Sequence, residues 1–350
     1  MTRAVDRIVA ATLYEGYILY PYRPSSVKNQ VRWTFGGVHP KAYSEATGGA
    51  EPWRAQTECL VRVGDGASID VMARFLHLTT RTVGELATPL SQLPAETPPY
   101  TAVPSLHIEG AVHRSWEEAI EHDLTAGRHR VDALIAEPHM LRAAVPGTTS
   151  TEPLRNSAGM IVGMLVRENR PIDVTVTVAA TRVTDILARV TVTVANVTEV
   201  DGHCGRDASL PRALLSTHVI LGVTGGRWLS LADPPPEAAD AAAACTNTGL
   251  WPVVITEEHE DDTVLASPII LEDHPQLAPE SPGDLFDATE IDEILSLRIL
   301  TLTDDEKAEM RSADQRSRAL LDRTEALGAE DFMRMHGTLR EPRPTQGDPR

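Results

Sequence analysis

The stretches I172-DVTVTVAATR-V183 and I186-LARVTVTVANVTE-V200 decide the fold class, because both alternate apolar and polar residues with a period of two. Valine and threonine fill most positions, and β-branched side chains suit a pleated, half-buried surface better than a helix. Each run therefore reads as a strand with one buried face, and only Thr184 and Asp185 separate the two. Working outward, LLSTHVILGVTGGRWLSL (residues 214–231) reads as two more strands turned at Gly225–Gly226. TECLVRVGDGASIDVMARFLHL (residues 57–78) reads as a hairpin turned at Gly64–Asp65–Gly66. WPVVI and TVLASPIIL add strands near residues 251–255 and 263–271, and LHIEGAV (residues 106–112) adds another. Turns rather than long helices separate these runs, so the sheet is expected to be antiparallel.

Helical signals are fewer. RSWEEAIEHDLTA places Ser115 before a run of acids, an N-cap pattern that predicts a short helix. HRVDALIAEPH fits strand or helix equally, as does the charged and apolar N-terminus over residues 1–12. DPPPEAADAAAACTNTG predicts a short helix that ends near Gly249. Thr303-Asp-Asp-Glu306 is a capping box, opening a helix expected to run to about Leu327 and to continue across Asp331–His336. The resulting expectation is an α+β, mainly β protein with an antiparallel sandwich-like core and a helical C-terminal segment. It divides into an aromatic and hairpin region at 1–100, a central β domain at 101–287, a helical segment at 288–336 and a disordered tail at 337–350.

The formal net charge of -18 argues against general binding of a phosphate backbone, which needs a basic surface. No apolar run is long enough for a helical membrane span, and no secretory leader opens the chain, so a cytoplasmic protein is expected. Three scattered cysteines do not make a disulfide framework. No phosphate loop, dinucleotide fingerprint or nucleophile elbow is present. His203 and Cys204 are adjacent in a glycine-flanked loop, and together with Cys245 they are the candidate metal ligands, although no Cys-x-x-Cys or His-x-x-x-His spacing joins them. The acidic runs Glu257–Asp262 and Asp284–Glu293 offer paired carboxylates for acid–base work, against the ordinary reading of a solvated surface.

One segment stands apart from this composition. Leu13–Gly37 holds four of the six tyrosines and one of the three lysines of an aromatic-poor, acidic chain. Pro21 and Pro24 prevent a single helix face from collecting the aromatics. Tyr14, Tyr17, Tyr20, Tyr22, Arg23, Lys28, Arg32 and Trp33 combine large contact area with hydrogen bonding at low entropic cost, which is the chemistry of a recognition patch. The alternative is that these aromatics plug the end of the chain's own core.

EGYILYPYRPSSVKNQVRWTFGG (residues 15–37) resembles the opening of a family of accessory proteins encoded alongside high-affinity [NiFe] hydrogenases, mainly in actinobacteria. CTNTGLWPVVI (residues 245–255) is similar to that family's C-x-N-x-G-x-W/F-P-V segment. Residues 266–307 resemble its strand, proline loop and acidic helix. The resemblance implies a non-enzymatic role in assembly, maturation or organisation of a hydrogenase, with a hydrogenase subunit or another accessory protein as partner. It implies no cofactor and no active-site residues. A metal-handling or redox factor using Cys59, His203, Cys204 and Cys245, or a hydrolase, are the competing readings.

Overall fold

The computed structural model describes residues 3–14, 36–257, 260–275 and, apart from 298 and 314, residues 297–328. One strand organises it. β1 (Arg54–Leu90) is 37 residues long and is paired along both edges. One edge takes β10 (Leu187–Asn196), then β5 (Trp116–Arg130), then β2 (Thr101–Val103). The other takes β11 (Leu215–Leu229), then β8 (Ile161–Asn169). β9 (Ile172–Thr184) and β6 (His139–Val145) extend the sheet beyond β10, while β13 (Glu260–Ser267) and β12 (Trp251–Glu257) extend it beyond β11. β7 (Thr148–Arg155) flanks β8. The result is an 11-stranded antiparallel sheet whose order runs from β12 to β6 without closing, plus a separate hairpin of β3 (Ser105–Ile108) and β4 (Ala111–Arg114). The mainly β, antiparallel fold expected from the sequence is observed.

The two valine-rich runs form the β9–β10 hairpin in the expected alternation. Ile172, Val174, Val176 and Val178 of β9, with Val190, Val192 and Val194 of β10, are buried in the main core. They join Val61, Ile69, Val71, Ala73 and Phe75 of β1, and Val219, Leu221 and Trp228 of β11. Helix α3 (Val131–Ala136) adds Val131 and Leu134 to that core, settling a segment that the sequence left open. The opposite face carries Met72, Leu76, Leu78, Ile220, Val253, Ile255 and Leu265, and α1 (Arg3–Leu13) lays Val5, Ile8, Val9 and Leu13 across it. Central β1 and β11 are thus buried on both faces.

Both expected glycine turns are corrected. β1 continues through Gly64–Asp65–Gly66, and β11 continues through Gly225–Gly226. Val63 pairs with Gly226 and Ser68 with Thr224, so residues 64–67 bulge opposite Gly225. Gly66 and Gly225 have φ of 72° and 73°, the left-handed backbone that a bulge and a hairpin both use. Local sequence carries the same signature for either; pairing of the flanking strands with each other decides. A Cβ on Gly226 would lie 2.7 Å from Arg62 O, so the two strands approach closely where they bend.

The helix expected over residues 114–126 is also corrected: β5 runs as a strand through Trp116–Arg130. Ser115 Oγ does not cap a helix: it donates to Val103 O at 2.7 Å and accepts from Val83 N at 2.9 Å, tying β2 to β1. Acids of the expected helix pair across the sheet instead: Glu118, from its first turn, with Arg81 and Arg167, and Asp123, further along, with Arg74. LHIEGAV is a hairpin rather than one strand, reversing at Glu109–Gly110 with both residues at positive φ.

The alanine-rich stretch forms a 3-10 turn at 236–238 and the short helix α5 (Ala239–Ala243), which ends at Ala243 rather than near Gly249 as expected. Gly249 then bridges to Gln56, returning the chain to β1 before β12 begins. The capping box is present: Glu306 N lies 3.3 Å from Thr303 Oγ1, and Thr303 N lies 2.7 Å from Glu306 Oε2. The helix it opens is split, α6 (Asp304–Ala313) and α7 (Gln315–Glu325) packing together through Met310 and Leu321. α6 lies against β4. The expected continuation over 331–336 and the tail at 337–350 lie outside the described residues. Among the described residues no helix is long and apolar enough to cross a membrane.

Candidate functional site

Chemistry-bearing residues gather where the N-terminal segment meets the start of β11. Thr12, in the last turn of α1, places Oγ1 3.0 Å from His218 Nε2. Thr217 N donates to Gly36 O at 3.2 Å. A Cβ on Gly36 would fall 2.6 Å from Pro268, and its φ is 54°, so glycine is needed there on both counts. The segment between Thr12 and Gly36 therefore departs from and returns to the same three residues of β11, Ser216 to His218. Tyr14 is half-buried and packs against the α1 cluster. Tyr17, Tyr20, Tyr22, Arg23, Lys28, Arg32 and Trp33 lie outside the described residues.

The β11 terminus itself is unusual. Ser216 has φ 48° and is buried, and among the described residues neither its hydroxyl nor that of Thr217 has a hydrogen-bond partner. His218 is fully buried, and burial lowers its pKa to about 4. Its Nδ1 lies 2.7 Å from Ser216 O, an acceptor only, so Nδ1 carries a proton, and Thr12 Oγ1 stands 3.0 Å from both His218 Nε2 and Ile8 O.

Immediately after Gly37 the chain enters a second cluster. Val38 exchanges backbone hydrogen bonds with Leu214, and Asn196 Nδ2 donates to Val38 O at 2.9 Å. That pairing sets His39 beside the loop 201–212. His39 Nδ1 is 3.0 Å from Ser209 Oγ, and its Nε2 is 3.5 Å from Glu51 Oε1. Glu51 also accepts from Tyr43 OH at 2.6 Å and from Arg206 Nε at 2.9 Å. Tyr43 comes from α2 (Lys41–Ala46), and Ser209 ends the short helix α4 (Arg206–Ser209). Burial lowers the His39 pKa, with Glu51 opposing and Arg206 reinforcing the shift. Burial works against the Glu51 carboxylate, yet the Tyr43, His39 and Arg206 contacts hold it below the usual carboxyl range. The hydrogen bond to Glu51, with burial, pushes the Tyr43 phenol up to about 12.

Ser209, His39 and Glu51 stand in the order hydroxyl, imidazole, carboxylate that activates a nucleophile. Ser209 is fully buried, however, so its hydroxyl meets no solvent in this conformation. The contacts shown join the segment 36–53, which includes α2, and the loop 201–212 into one polar unit.

The candidate metal ligands occupy different surroundings. His203 N donates to Asp201 Oδ1, while Cys204 Sγ lies 3.6 Å from Gly205 O. Cys245 Sγ lies 3.4 Å from Ala241 O and packs with the cluster around Leu60, Leu187 and Ala242. Burial pushes the Cys59 thiol up to about 12 and raises that of Cys245, which disfavours the thiolate that a metal requires. Among the described residues no group of three or more His, Cys, Asp and Glu is arranged to hold a metal ion.

Sequence reasoning passed over His39, Tyr43, Glu51, Arg206, Ser209 and His218. They come from three separated stretches, and only the GHCG loop next to Arg206 carried a local signal. No known protein-family model matches the chain, and no curated protein matches it.

Proposed function

We propose that this chain is a non-enzymatic accessory protein of a [NiFe] hydrogenase, binding a partner protein through its aromatic and basic segment at Tyr14–Phe35. One observation supports the recognition role most: both ends of the segment attach to the same terminus of β11, at Thr12–His218 and Gly36–Thr217. Recognition residues are commonly carried on loops that a rigid scaffold holds at both ends. The hydrogenase context rests on the sequence resemblance of residues 15–37, 245–255 and 266–307. Pull-down with the hydrogenase subunits tests the reading, with Tyr17, Tyr20 and Arg23 changed to Ala. Loss of capture in the variant supports the segment as the contact surface; undiminished capture removes it.

A hydrolase is the second reading, favoured by the order Ser209–His39–Glu51. Ester hydrolysis by the purified chain that Ser209→Ala abolishes would support it, and activity untouched by that change would remove it.

A further inference from the structure

Among the described residues β12 is the last strand of the sheet and pairs on one side only, with β13. Val253, Val254 and Ile255 stand opposite Leu265, Val264 and Thr263. Val254 turns both of its backbone groups away from β13, and a later part of the chain takes them. Val254 N donates to Asp273 Oδ1 at 2.7 Å, and His274 N donates to Val254 O at 2.8 Å. A residue of a neighbouring antiparallel strand would make the same two bonds, giving one acceptor and one donor to a single partner. Residues 271–274 therefore stand where a further strand would lie, without forming one.

Three features hold this strap. Leu271 buries its side chain in the cluster of Val253, Ile255 and Leu265. Ser230 Oγ, just past the end of β11, donates to Asp273 Oδ2 and accepts from Ala232 N at 3.1 Å and Asp233 N at 2.8 Å. His274 takes φ 55°, a left-handed backbone uncommon outside glycine, while its N–H meets Val254 O. Asp273 thus joins the strap to β12 and to the end of β11 through its two carboxylate oxygens.

We propose that residues 271–274 guard β12 against strand addition, and that their withdrawal opens this edge to β12 of a second copy of the chain. The sequence of the strand supports its own copy as the occupant. Val253, Val254 and Ile255 are β-branched and uncharged. On a two-fold axis through Val254, each copy's Val254 N–H would meet the other's carbonyl, closing two hydrogen bonds in one pair. Outward backbone groups fall on alternate residues, and the preceding outward position is Pro252, which has no N–H. Val254 is therefore where pairing is decided, and a guard on that residue blunts the edge. The net charge of -18 keeps copies apart at low ionic strength, so added salt promotes the pairing.

The full chain carrying Asp273→Ala tests this beside wild type and Asp273→Asn, in about 0.5 M sodium chloride to screen the repulsion. In dilute Asp273→Ala the Val254 amide is expected to exchange with deuterium about tenfold faster than in wild type. Concentrating that variant should double its mass by light scattering and return the amide to slow exchange. Asp273→Asn keeps a side-chain oxygen for Val254 N and should follow wild type, which keeps a single mass. Unchanged Val254 exchange in Asp273→Ala overturns the guard. Faster exchange with a mass that never doubles overturns the second copy as occupant, and so does a doubled mass with Val254 still exchanging fast. Should Asp273→Ala fail to fold, Ser230→Ala loosens the strap with the carboxylate in place, and the same two measurements decide.

Discussion

Glu51 shows how one side chain joins parts of the chain that no local pattern connects. It takes hydrogen bonds from Tyr43 and Arg206 and lies beside His39, joining the segment 36–53, which includes α2, to the loop 201–212. Removing it strands a buried phenol and a buried imidazole, so Glu51→Ala is expected to destabilise the fold by about 2 kcal/mol, read from the urea midpoint. The Tyr43 phenol, held at about 12, should fall toward 10 in the same variant, read by ultraviolet titration of the tyrosines. None of this was legible in the sequence, where His39, Glu51 and Arg206 are unremarkable polar residues far apart. Ser115 was legible but misleading: a serine before acids fits a helix cap, and only distant partners such as Arg81, Arg74 and Val103 make it a strand.

At the scale of elements, the alternation in β9 and β10 was readable because each strand has one apolar face. Central β1 and β11 were readable as strands too, but not as continuous ones, because their glycines mark bulges that look like turns. Gly226→Ala is expected to cost about 2 kcal/mol, since the added Cβ meets Arg62 O at 2.7 Å. Gly222→Ala on the same strand should stay within about 0.5 kcal/mol, because the nearest atom to its added Cβ is 3.8 Å away. Equal losses in chemical denaturation would contradict the opposed-bulge geometry. The capping box was legible because its spacing is local, and Thr303→Ala should weaken α6 by about 1 kcal/mol, seen as faster amide exchange in its first turn.

For the whole molecule, two buried histidines couple stability to pH. His77 and His218 titrate near 4 when folded and near 6.5 when unfolded, so between those values the unfolded chain binds more protons. Their contribution to stability is full above pH 6.5 and is lost as pH falls toward 4, at roughly 1 kcal/mol per pH unit for each histidine. Urea midpoints at pH 7.5, 5.5 and 4.5 should fall in that order. The same sheet that buries these histidines anchors both ends of the aromatic segment, and the proposed function depends on that segment. Equilibrium binding of the hydrogenase subunits to the wild-type chain, and to one carrying Tyr17→Ala, Tyr20→Ala and Arg23→Ala, is the most direct test. The account predicts a measurable wild-type Kd that weakens at least about tenfold in the triple variant, as expected when aromatic and arginine anchors are lost. An unchanged Kd, or no binding by the wild-type chain, would contradict it.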